Sequence, residues 1–429
     1  MRSSKKRLTF LVPLIYLCLV YAALDPLPQI GHAVQTLPAV LTRFPYIQSP
    51  TTTSVTIIWQ THVASTGEVE YGKTLDLDRA VKDTVTSLTH VVTLDNLEPN
   101  TLYYYRVKGN GVPLTEPVPF RTNKDKTEKN FSFVVFGDSG SGDDNQRRVA
   151  KVMEGLNFDL ALITGDVVYE SGRAENYDPN YFIPYQKLIR SIPFFPSLGN
   201  HDIKTGNGKP YLDAFYLPAN NPQQTERYYS FSYANAYFIA LDSNDKDLYL
   251  PDSDHKNHGT CQYNWLKDHL SHVAQDKDIF WRFVFFHHPP YSAGYHGAKA
   301  ELMRLRKTLS PLFETYGVQM VFTGHDHNYE RAFPIKGGEP LKDGPPQEGV
   351  VYIVTGGGGR GQESWKFWRT VRSDRPWTAY IEKAYHVTYV EIQGTTLKLQ
   401  AIRDDGQVMD SVTYTYPPRQ ETKVSQGLK

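Results

Sequence analysis

Five short motifs in this 429-residue chain end in side chains that can bind metal ions. Each motif follows an apolar stretch with the length of a buried strand, and a turn then presents the polar side chains. Carboxylate, imidazole, amide and phenol groups suit hard to borderline metal ions, and no pair of neighbouring cysteines indicates a structural zinc site. The motifs are Gly137-Asp138-Ser139-Gly140, Gly165-Asp166-Val167-Val168-Tyr169, Gly199-Asn200-His201-Asp202, His287-His288-Pro289-Pro290 and Gly324-His325-Asp326-His327.

Each motif has a plainer explanation when it is taken singly. An aspartate after a glycine is common in turns, neighbouring histidines often pack in cores, and a single His-x-His pattern is weakly specific. Five such motifs behind five strands are harder to explain as turns alone, because the carboxyl ends of strands in an open α/β sheet form ligand sites. We therefore expect the five motifs to build one metal site.

The motifs lie in the second of two regions with different patterns of secondary structure. Residues 34–124 contain short alternating runs such as Val55-Thr56-Ile57-Ile58-Trp59, which predict a small antiparallel β-sandwich. In residues 130–417 apolar strands alternate with helical stretches, which predicts an α/β (α+β) domain. Within it we expect one long β stretch at Tyr228–Leu241 and a tight turn at the glycine run 356–359. Residues 418–429 are polar and predict a disordered tail.

Residues 1–23 have the features of a secretory signal peptide. Arg2, Lys5, Lys6 and Arg7 precede an uncharged run, Leu8–Ala23, that ends in small residues. The run is shorter than the roughly 20 residues of a membrane-spanning helix, so we predict a secreted or periplasmic protein, with an uncleaved N-terminal anchor as the alternative. We expect no membrane span beyond this segment. Basic and acidic residues both number 46, which argues against nucleic acid as a partner.

In sequence order, the motifs GD-x-G, GD-x-x-Y, GNHD, V-x-x-H and GH-x-H resemble those of the calcineurin-like metallophosphoesterase superfamily, and within it those of the purple acid phosphatases. The matching motifs span residues 138–327, and the front region is similar to the N-terminal domain of the larger members. The resemblance implies a four-layer αββα sandwich preceded by a small all-β fibronectin type III-like sandwich. It also implies a hydrolase that acts on phosphoric esters with two metal ions.

The resemblance assigns seven residues to the two ions. The first ion would be held by Asp138, Asp166, Tyr169 and His327, and the second by Asp166, Asn200, His287 and His325, with Asp166 bridging. A free tyrosine has a pKa of about 10, so its binding as a phenolate favours a strongly acidifying ion, iron(III), in the first set. The second set suits a divalent ion such as zinc, manganese or iron(II). Many relatives carry histidine where this chain has Gly140, and Tyr169 is expected to supply that ligand instead.

The implied function is a secreted acid phosphatase for small phosphomonoesters, in which a metal-bound hydroxide attacks phosphorus directly. His201 is the first candidate and His296 the second for giving a proton to the leaving group. His288, next to a ligand in sequence, is expected to support the ligands or to pack beside them, and Asp326 is expected to point away from the metals.

Two alternatives stay open. The same dimetal site could act on phosphodiesters or nucleotides, or the chain could be an adhesion or receptor module with an inactive catalytic domain. The oligomeric state is not predicted.

Overall fold

The computed structural model describes residues 38–248, 262–362 and 375–417. The predicted signal peptide and the predicted tail lie outside these residues. The described helices are α1 (Asp144–Glu154), α2 (Ile183–Ile189), α3 (Lys209–Ala214), α4 (Gln262–Gln275) and α5 (Ala300–Thr315). The described strands are β1 (Leu41–Gln48), β2 (Val55–Gly72), β3 (Arg79–Leu94), β4 (Leu102–Gly109), β5 (Val112–Pro113), β6 (Val118–Arg121), β7 (Asn130–Phe136), β8 (Leu160–Ile163), β9 (Phe194–Pro196), β10 (Tyr229–Tyr233), β11 (Ala236–Ala240), β12 (Trp281–Phe285), β13 (Met320–Thr323), β14 (Tyr329–Ala332), β15 (Ile335–Lys336), β16 (Glu339–Pro340), β17 (Val351–Thr355), β18 (Thr378–Glu382), β19 (His386–Gln393), β20 (Thr396–Arg403) and β21 (Val408–Thr415).

The first six strands pair antiparallel and bury an aromatic core. Trp59, Tyr103 and Phe120 are each buried there, since alternate residues of a half-buried strand point inward. The Tyr103 hydroxyl accepts a hydrogen bond from the Glu98 backbone N–H at 3.1 Å, as in the tyrosine corners of β-sandwiches. The predicted all-β front region is confirmed, whereas its predicted limits, residues 34–124, stay a prediction.

Two mixed sheets form the centre of the larger region, predicted as residues 130–417. One has the strand order β21-β20-β19-β7-β8-β9 and the other β10-β11-β12-β13-β17-β14-β18. The sheets pack face to face, because Phe133 of β7 contacts Phe283 of β12 and Phe322 of β13 across the interface. The strands β7, β8 and β9 are parallel neighbours, as are β12 and β13. The carboxyl ends of the parallel strands therefore lie at one edge of each sheet, and the sequence motifs begin at these ends.

Helices cover the outer faces of both sheets. Helix α1 begins where the Asp143 side chain accepts hydrogen bonds from two backbone N–H groups, and its buried face packs in the same core as β7 and β8. Helix α5 buries its leucines every three or four residues in a second core with α4 and β12. The layers therefore run helix, sheet, sheet, helix, which confirms the predicted four-layer fold.

The front sheet packs directly on the larger region. The Arg43 guanidinium donates to both carboxylate oxygens of Asp178, at 2.7 and 3.1 Å, and stacks on the Phe182 ring. The buried Tyr46 hydroxyl donates to the Ala214 carbonyl oxygen at 2.8 Å. These contacts lie on α3 and on the short helical segment Asp178–Phe182 directly before α2, so they anchor the front sheet to the larger region.

One prediction about the strands was wrong. The stretch Tyr228–Leu241 is two strands, β10 and β11, which pair antiparallel through a two-residue loop. Ala234 takes the left-handed backbone that such a tight hairpin needs, with φ at 51°. No glycine or proline marks the turn, so the apolar pattern runs through it.

Candidate metal centre

The motif residues follow strands whose carboxyl ends meet where the two sheets face each other. Asp138, Asp166 and Asn200 follow β7, β8 and β9, three parallel neighbours. His287 follows β12, and the two histidines of the last motif follow β13, its parallel neighbour in the other sheet. The backbone N–H of His325 donates to the Asp138 carboxylate at 2.9 Å, which joins the two sheets at this point.

Three of the motif residues have an unusual backbone. Asp138, Asp166 and His325 have φ values of 55°, 50° and 70°, in the left-handed region. Such a conformation costs a residue with a side chain about 1–3 kcal/mol and is retained mostly at functional sites. The sharp turns direct all three side chains toward a common centre.

The first ligand set consists of Asp138, Asp166, Tyr169 and His327. The Tyr169 hydroxyl lies 3.1 Å from Asp138 Oδ1 and 3.2 Å from His327 Nε2. His327 Nε2 is 3.5 Å from the same Asp138 oxygen. Two atoms bound to one ion at about 2.0–2.2 Å lie about 2.8–3.6 Å apart at tetrahedral or octahedral angles. The three donor atoms therefore have the mutual spacing of ligands to one ion.

The second ligand set consists of Asp166, Asn200, His287 and His325. His287 Nε2 lies 2.9 Å from Asn200 Oδ1, 3.1 Å from His325 Nδ1 and 3.5 Å from Asp166 Oδ2. Asp166 also belongs to a group, with Asp138 and His287, whose ligand atoms all lie within 4.8 Å of one another. That group spans both sets, so the structure brings all seven predicted ligands together with Asp166 between the two sets.

The distal nitrogens of two histidines are held by backbone carbonyls. His287 Nδ1 lies 2.9 Å from the Thr164 oxygen, and His327 Nδ1 lies 2.7 Å from the Gly361 oxygen. In each ring this contact makes Nδ1 the donor, so Nε2 presents its lone pair to the ligand set. Metal-binding histidines usually have this second hydrogen bond.

The charge balance of the centre also fits a metal. Asp138 and Asp166 are buried, and no lysine or arginine among the described residues forms an ion pair with either carboxylate. Buried carboxylates are costly unless a cation neutralises them. The titratable partners of the two carboxylates among the described residues are histidines and Tyr169, none of which has a fixed positive charge, so bound metal cations would supply the missing positive charge.

The protein alone keeps the tyrosine of the centre protonated. Burial, and then the carboxylates of Asp138 and Asp166, hold the pKa of Tyr169 well above its ordinary value. Burial opposes the charged form of His287, but the same carboxylates raise its pKa overall. Burial lowers the pKa of His325 far below its ordinary value. A strongly acidifying cation would be needed to ionise Tyr169, which fits the predicted preference of the first set for iron(III).

The glycine that replaces histidine after the first aspartate leaves no room for a side chain. A Cβ on Gly140 would lie 1.8 Å from the Val167 carbonyl oxygen. The Tyr169 backbone N–H donates to the Gly140 carbonyl at 2.9 Å, so the two loops lie in direct contact. This contact positions Tyr169 beside Asp138, in the place that the sequence assigned to it.

The two proton-donor candidates lie against different ligand sets. The His201 ring contacts Tyr169 at 4.5 Å between centroids, and its Nδ1 lies 2.6 Å from the Glu170 carbonyl oxygen. Burial lowers the pKa of His201, an effect that Asp166 opposes and Lys204 reinforces.

The His296 ring lies 4.0 Å from the His325 ring, and its Nδ1 is 2.8 Å from the buried Asp326 carboxylate. Asp326 points away from both ligand sets, as expected, but it holds His296. Burial opposes the ionisation of Asp326, yet the hydrogen bonds from His296 and Ser292 keep its pKa below the ordinary value.

Three further contributions support the site, and the first and third of them were not predicted. Asp202 accepts backbone hydrogen bonds from Val167, Val168 and Gly199, which ties the second motif to the third. The second contribution is His288, for which a supporting role beside the ligands was one of the two expectations: one of its ring nitrogens belongs to a group with those of His287 and His325, all within 4.8 Å.

The third contribution is the loop after the glycine run. Its Gly361 carbonyl holds His327, and the Arg360 guanidinium lies 4.8 Å above the Tyr169 ring. The carboxylate of Asp202 follows directly after Asn-His and could have been noticed in the sequence, whereas the folding of residues 356–361 over the site could not.

The comparisons with known proteins agree with the geometry. The calcineurin-like phosphoesterase family matches residues 131–329, the purple acid phosphatase N-terminal domain matches residues 45–122, and the iron/zinc purple acid phosphatase-like C-terminal family matches residues 349–411. The chain belongs to the calcineurin-like phosphoesterases, in the purple acid phosphatase group. The prediction of a phosphoester hydrolase is confirmed at the level of this family, and the family implies a dimetal site.

Named relatives come from plants and animals. Purple acid phosphatase 21 of Arabidopsis thaliana is 30% identical over 309 residues, which are 68% of this chain and 65% of the relative's length. Acid phosphatase type 7 of Mus musculus is 27% identical over 87% of this chain and 90% of its own length. A purple acid phosphatase from yellow lupin seeds shares the fold with a TM-score of 0.72, at 19% identity over 86% of this chain and 74% of its own.

None of the helices in the described residues is long and apolar enough to cross a membrane. The predicted signal peptide at residues 1–23 lies outside the described residues, so secretion stays a prediction.

Proposed function

We propose that the chain is a secreted, metal-dependent acid phosphatase that hydrolyses small phosphomonoesters. The observation that carries the proposal is the convergence of the donor atoms of Asp138, Tyr169 and His327 on one point and of Asn200, His287 and His325 on another, with Asp166 between them. Family membership supports phosphoester hydrolysis, and the small-ester preference and the secretion are our inference.

The two ligand sets differ in the ions that they suit. The first set has two carboxylates, a phenol and one imidazole, for which we propose iron(III). The second set shares Asp166 and adds one amide and two imidazoles, for which we propose zinc, manganese or iron(II). Ions bound there would supply the Lewis acidity that activates water and neutralises charge on the phosphoryl oxygens.

Side chains next to the ligand sets would then donate a proton to the leaving group and hold the phosphoryl group. We assign the proton donor to His296, because the Asp326 carboxylate accepts from Nδ1 and orients the ring, so that Nε2 is the nitrogen that would carry a proton to an oxygen of the substrate. His201 has a lowered pKa and lies against Tyr169, so it is the weaker candidate for the acid. Its proposed role is to hold a phosphoryl oxygen on the side of the first ligand set.

One series of assays tests the proposal. Purified protein with its metal content measured would be given p-nitrophenyl phosphate and bis(p-nitrophenyl) phosphate across pH 4–8. We expect faster turnover of the monoester and loss of turnover after chelation. Faster turnover of the diester would favour the phosphodiesterase alternative, and a metal-replete protein that turns over neither would favour an inactive domain.

A further inference from the structure

A cavity of about 630 Å³ opens beside the second ligand set. Asn200 and His325 form part of its wall, and His288 and Ser243 line it next to them. Small-molecule sites commonly have volumes of about 300–1,000 Å³, so this cavity could hold a substrate's leaving group as well as its phosphate.

The described wall of this cavity also contains basic side chains. Lys246, Lys299 and Arg304 line it, and Glu301 is the one carboxylate among its described lining residues. Glu301 approaches Lys299 at 3.9 Å, with both side chains about half exposed, so the pair is weak. Neither Lys246 nor Arg304 has an ion-pair partner among the described residues. We call this space, with its three cations, the basic cavity.

The scissile phosphate does not account for these cations. Its charge would be met by the ions of the two ligand sets, which lie at the Asn200 and His325 end of the basic cavity. Among the described residues of the wall, three cationic side chains and one carboxylate leave a formal surplus of two positive charges. A neutral alcohol as leaving group would leave that surplus unmatched, whereas a second phosphate carries about two negative charges near neutral pH.

The proton donor lies on the same side. The His296 ring packs against the His325 ring, and the His296 carbonyl oxygen accepts from the Lys299 backbone N–H at 2.8 Å. A leaving group that takes its proton from His296 would therefore extend past His325 into the basic cavity. The surplus positive charge and the expected position of the leaving group therefore both indicate that the leaving group lies in the basic cavity.

We propose that the basic cavity binds a second phosphoryl group on the leaving-group side of the substrate, which rests on the proposed phosphatase function. The preferred substrates are then esters or anhydrides whose leaving group is itself phosphorylated, such as sugar bisphosphates or nucleoside diphosphates. In the reaction water adds its oxygen to the terminal phosphorus, the bond to the leaving oxygen breaks, and that oxygen takes up a proton. The products are orthophosphate and a leaving group that keeps its other phosphate.

The test replaces two of the three cationic side chains of the basic cavity together. The Lys246→Gln/Arg304→Gln variant would be compared with wild type and with Lys307→Gln/Lys398→Gln, which removes the same charge from exposed positions outside the basic cavity. The metal-loaded proteins would be assayed with fructose 1,6-bisphosphate, adenosine diphosphate and p-nitrophenyl phosphate. The first two substrates distinguish an ester-linked from an anhydride-linked second phosphate.

We expect kcat/KM for at least one doubly phosphorylated substrate to fall about tenfold to a hundredfold in the cavity variant, mainly through KM, because charge-assisted hydrogen bonds to phosphate are lost. The rate with p-nitrophenyl phosphate and all rates of the control variant should stay close to wild type. Equal losses on all three substrates, or no loss on any, would overturn the proposal.

A binding measurement separates this proposal from the proposed function. Calorimetric titration with pyrophosphate and with orthophosphate needs no turnover. If the wild type hydrolyses nothing yet binds pyrophosphate more tightly, and the cavity variant loses that preference, the phosphatase function fails while the subsite stands. If the wild type has no such preference, the subsite is refuted even where the protein is an active phosphatase.

Discussion

The hydrogen bond between Asp326 and His296 allows a quantitative prediction about the Asp326→Asn variant. The bond is 2.8 Å long, and the Asp326 carboxylate is fully buried. A hydrogen bond to a charged group contributes about 1.5–3 kcal/mol, and each 1.36 kcal/mol of activation free energy is tenfold in rate. If Asp326 orients His296 for proton donation, its replacement by the neutral amide should slow the proton-dependent step about tenfold to a hundredfold.

The assay compares leaving groups that need a proton with one that does not. We expect kcat for phenyl and alkyl phosphates to fall by that factor in Asp326→Asn, while kcat for 2,4-dinitrophenyl phosphate, whose leaving group is a weak base, changes by less than about threefold. His296→Ala should give the same pattern, and combining the two changes should add little because the residues act as one unit. Metal content should remain that of the wild type.

Ser292→Ala is the matched control. The Ser292 hydroxyl donates to the other oxygen of Asp326, so its removal disturbs the same carboxylate without removing the contact to His296. This variant should retain the wild-type dependence on leaving group. An equal loss on all substrates in Asp326→Asn, or full activity of that variant on phenyl phosphate, would refute the role of Asp326.

Two further predictions concern colour and acid stability. Tyr169→Phe should abolish any visible phenolate-to-iron absorption band, and an active wild-type protein without iron or colour would contradict iron(III) in the first set. Burial lowers the pKa of His386 from 6.5 to about 4, so the unfolded chain binds more protons between these values. The stability that neutral His386 supports is complete above pH 6.5 and declines as the pH falls toward 4. Between pH 7.5 and pH 4.5 the free energy of unfolding, measured with urea, should therefore fall by about 2–3 kcal/mol less in His386→Gln than in wild type. An equal fall in both proteins would contradict the argument that burial keeps His386 neutral.

The sequence predicted the position of the site because parallel strands share an edge. Asp138, Asp166 and Asn200 are far apart along the chain, yet β7, β8 and β9 lie side by side, so residues just after each strand must meet. The apolar runs before the motifs are continuous rather than alternating, as buried strands require. Strand identity and site location therefore follow from local patterns.

The contacts that hold the site residues in place could not be predicted in the same way. Because successive side chains alternate in direction, Asp326 points away from the side on which His325 and His327 lie. This alternation does not show which residue Asp326 contacts. Asp326 meets His296 through a loop that is thirty residues distant in sequence. The Gly361 carbonyl that holds His327 likewise depends on how the loop after β17 folds back, which is a tertiary contact without a local signal.

The contacts of the front sheet with the larger region could not be predicted from local patterns either. Its strands were predictable from alternating apolar residues, whereas its anchoring through Arg43 and Asp178 joins residues 135 positions apart. Nothing in the pattern of either residue alone marks it as a partner of the other.

The most direct test of a dimetal centre built on a shared aspartate is the metal content of Asp166→Asn beside its activity. Asp278→Asn is the control, since it removes an exposed carboxylate that has no contact with either ligand set. We expect two metal ions per chain and phosphatase activity in the wild type and in the control, and loss of both in Asp166→Asn. A wild-type protein that is active without bound metal, or an Asp166→Asn variant that keeps two ions and the wild-type rate, would contradict the shared-aspartate centre.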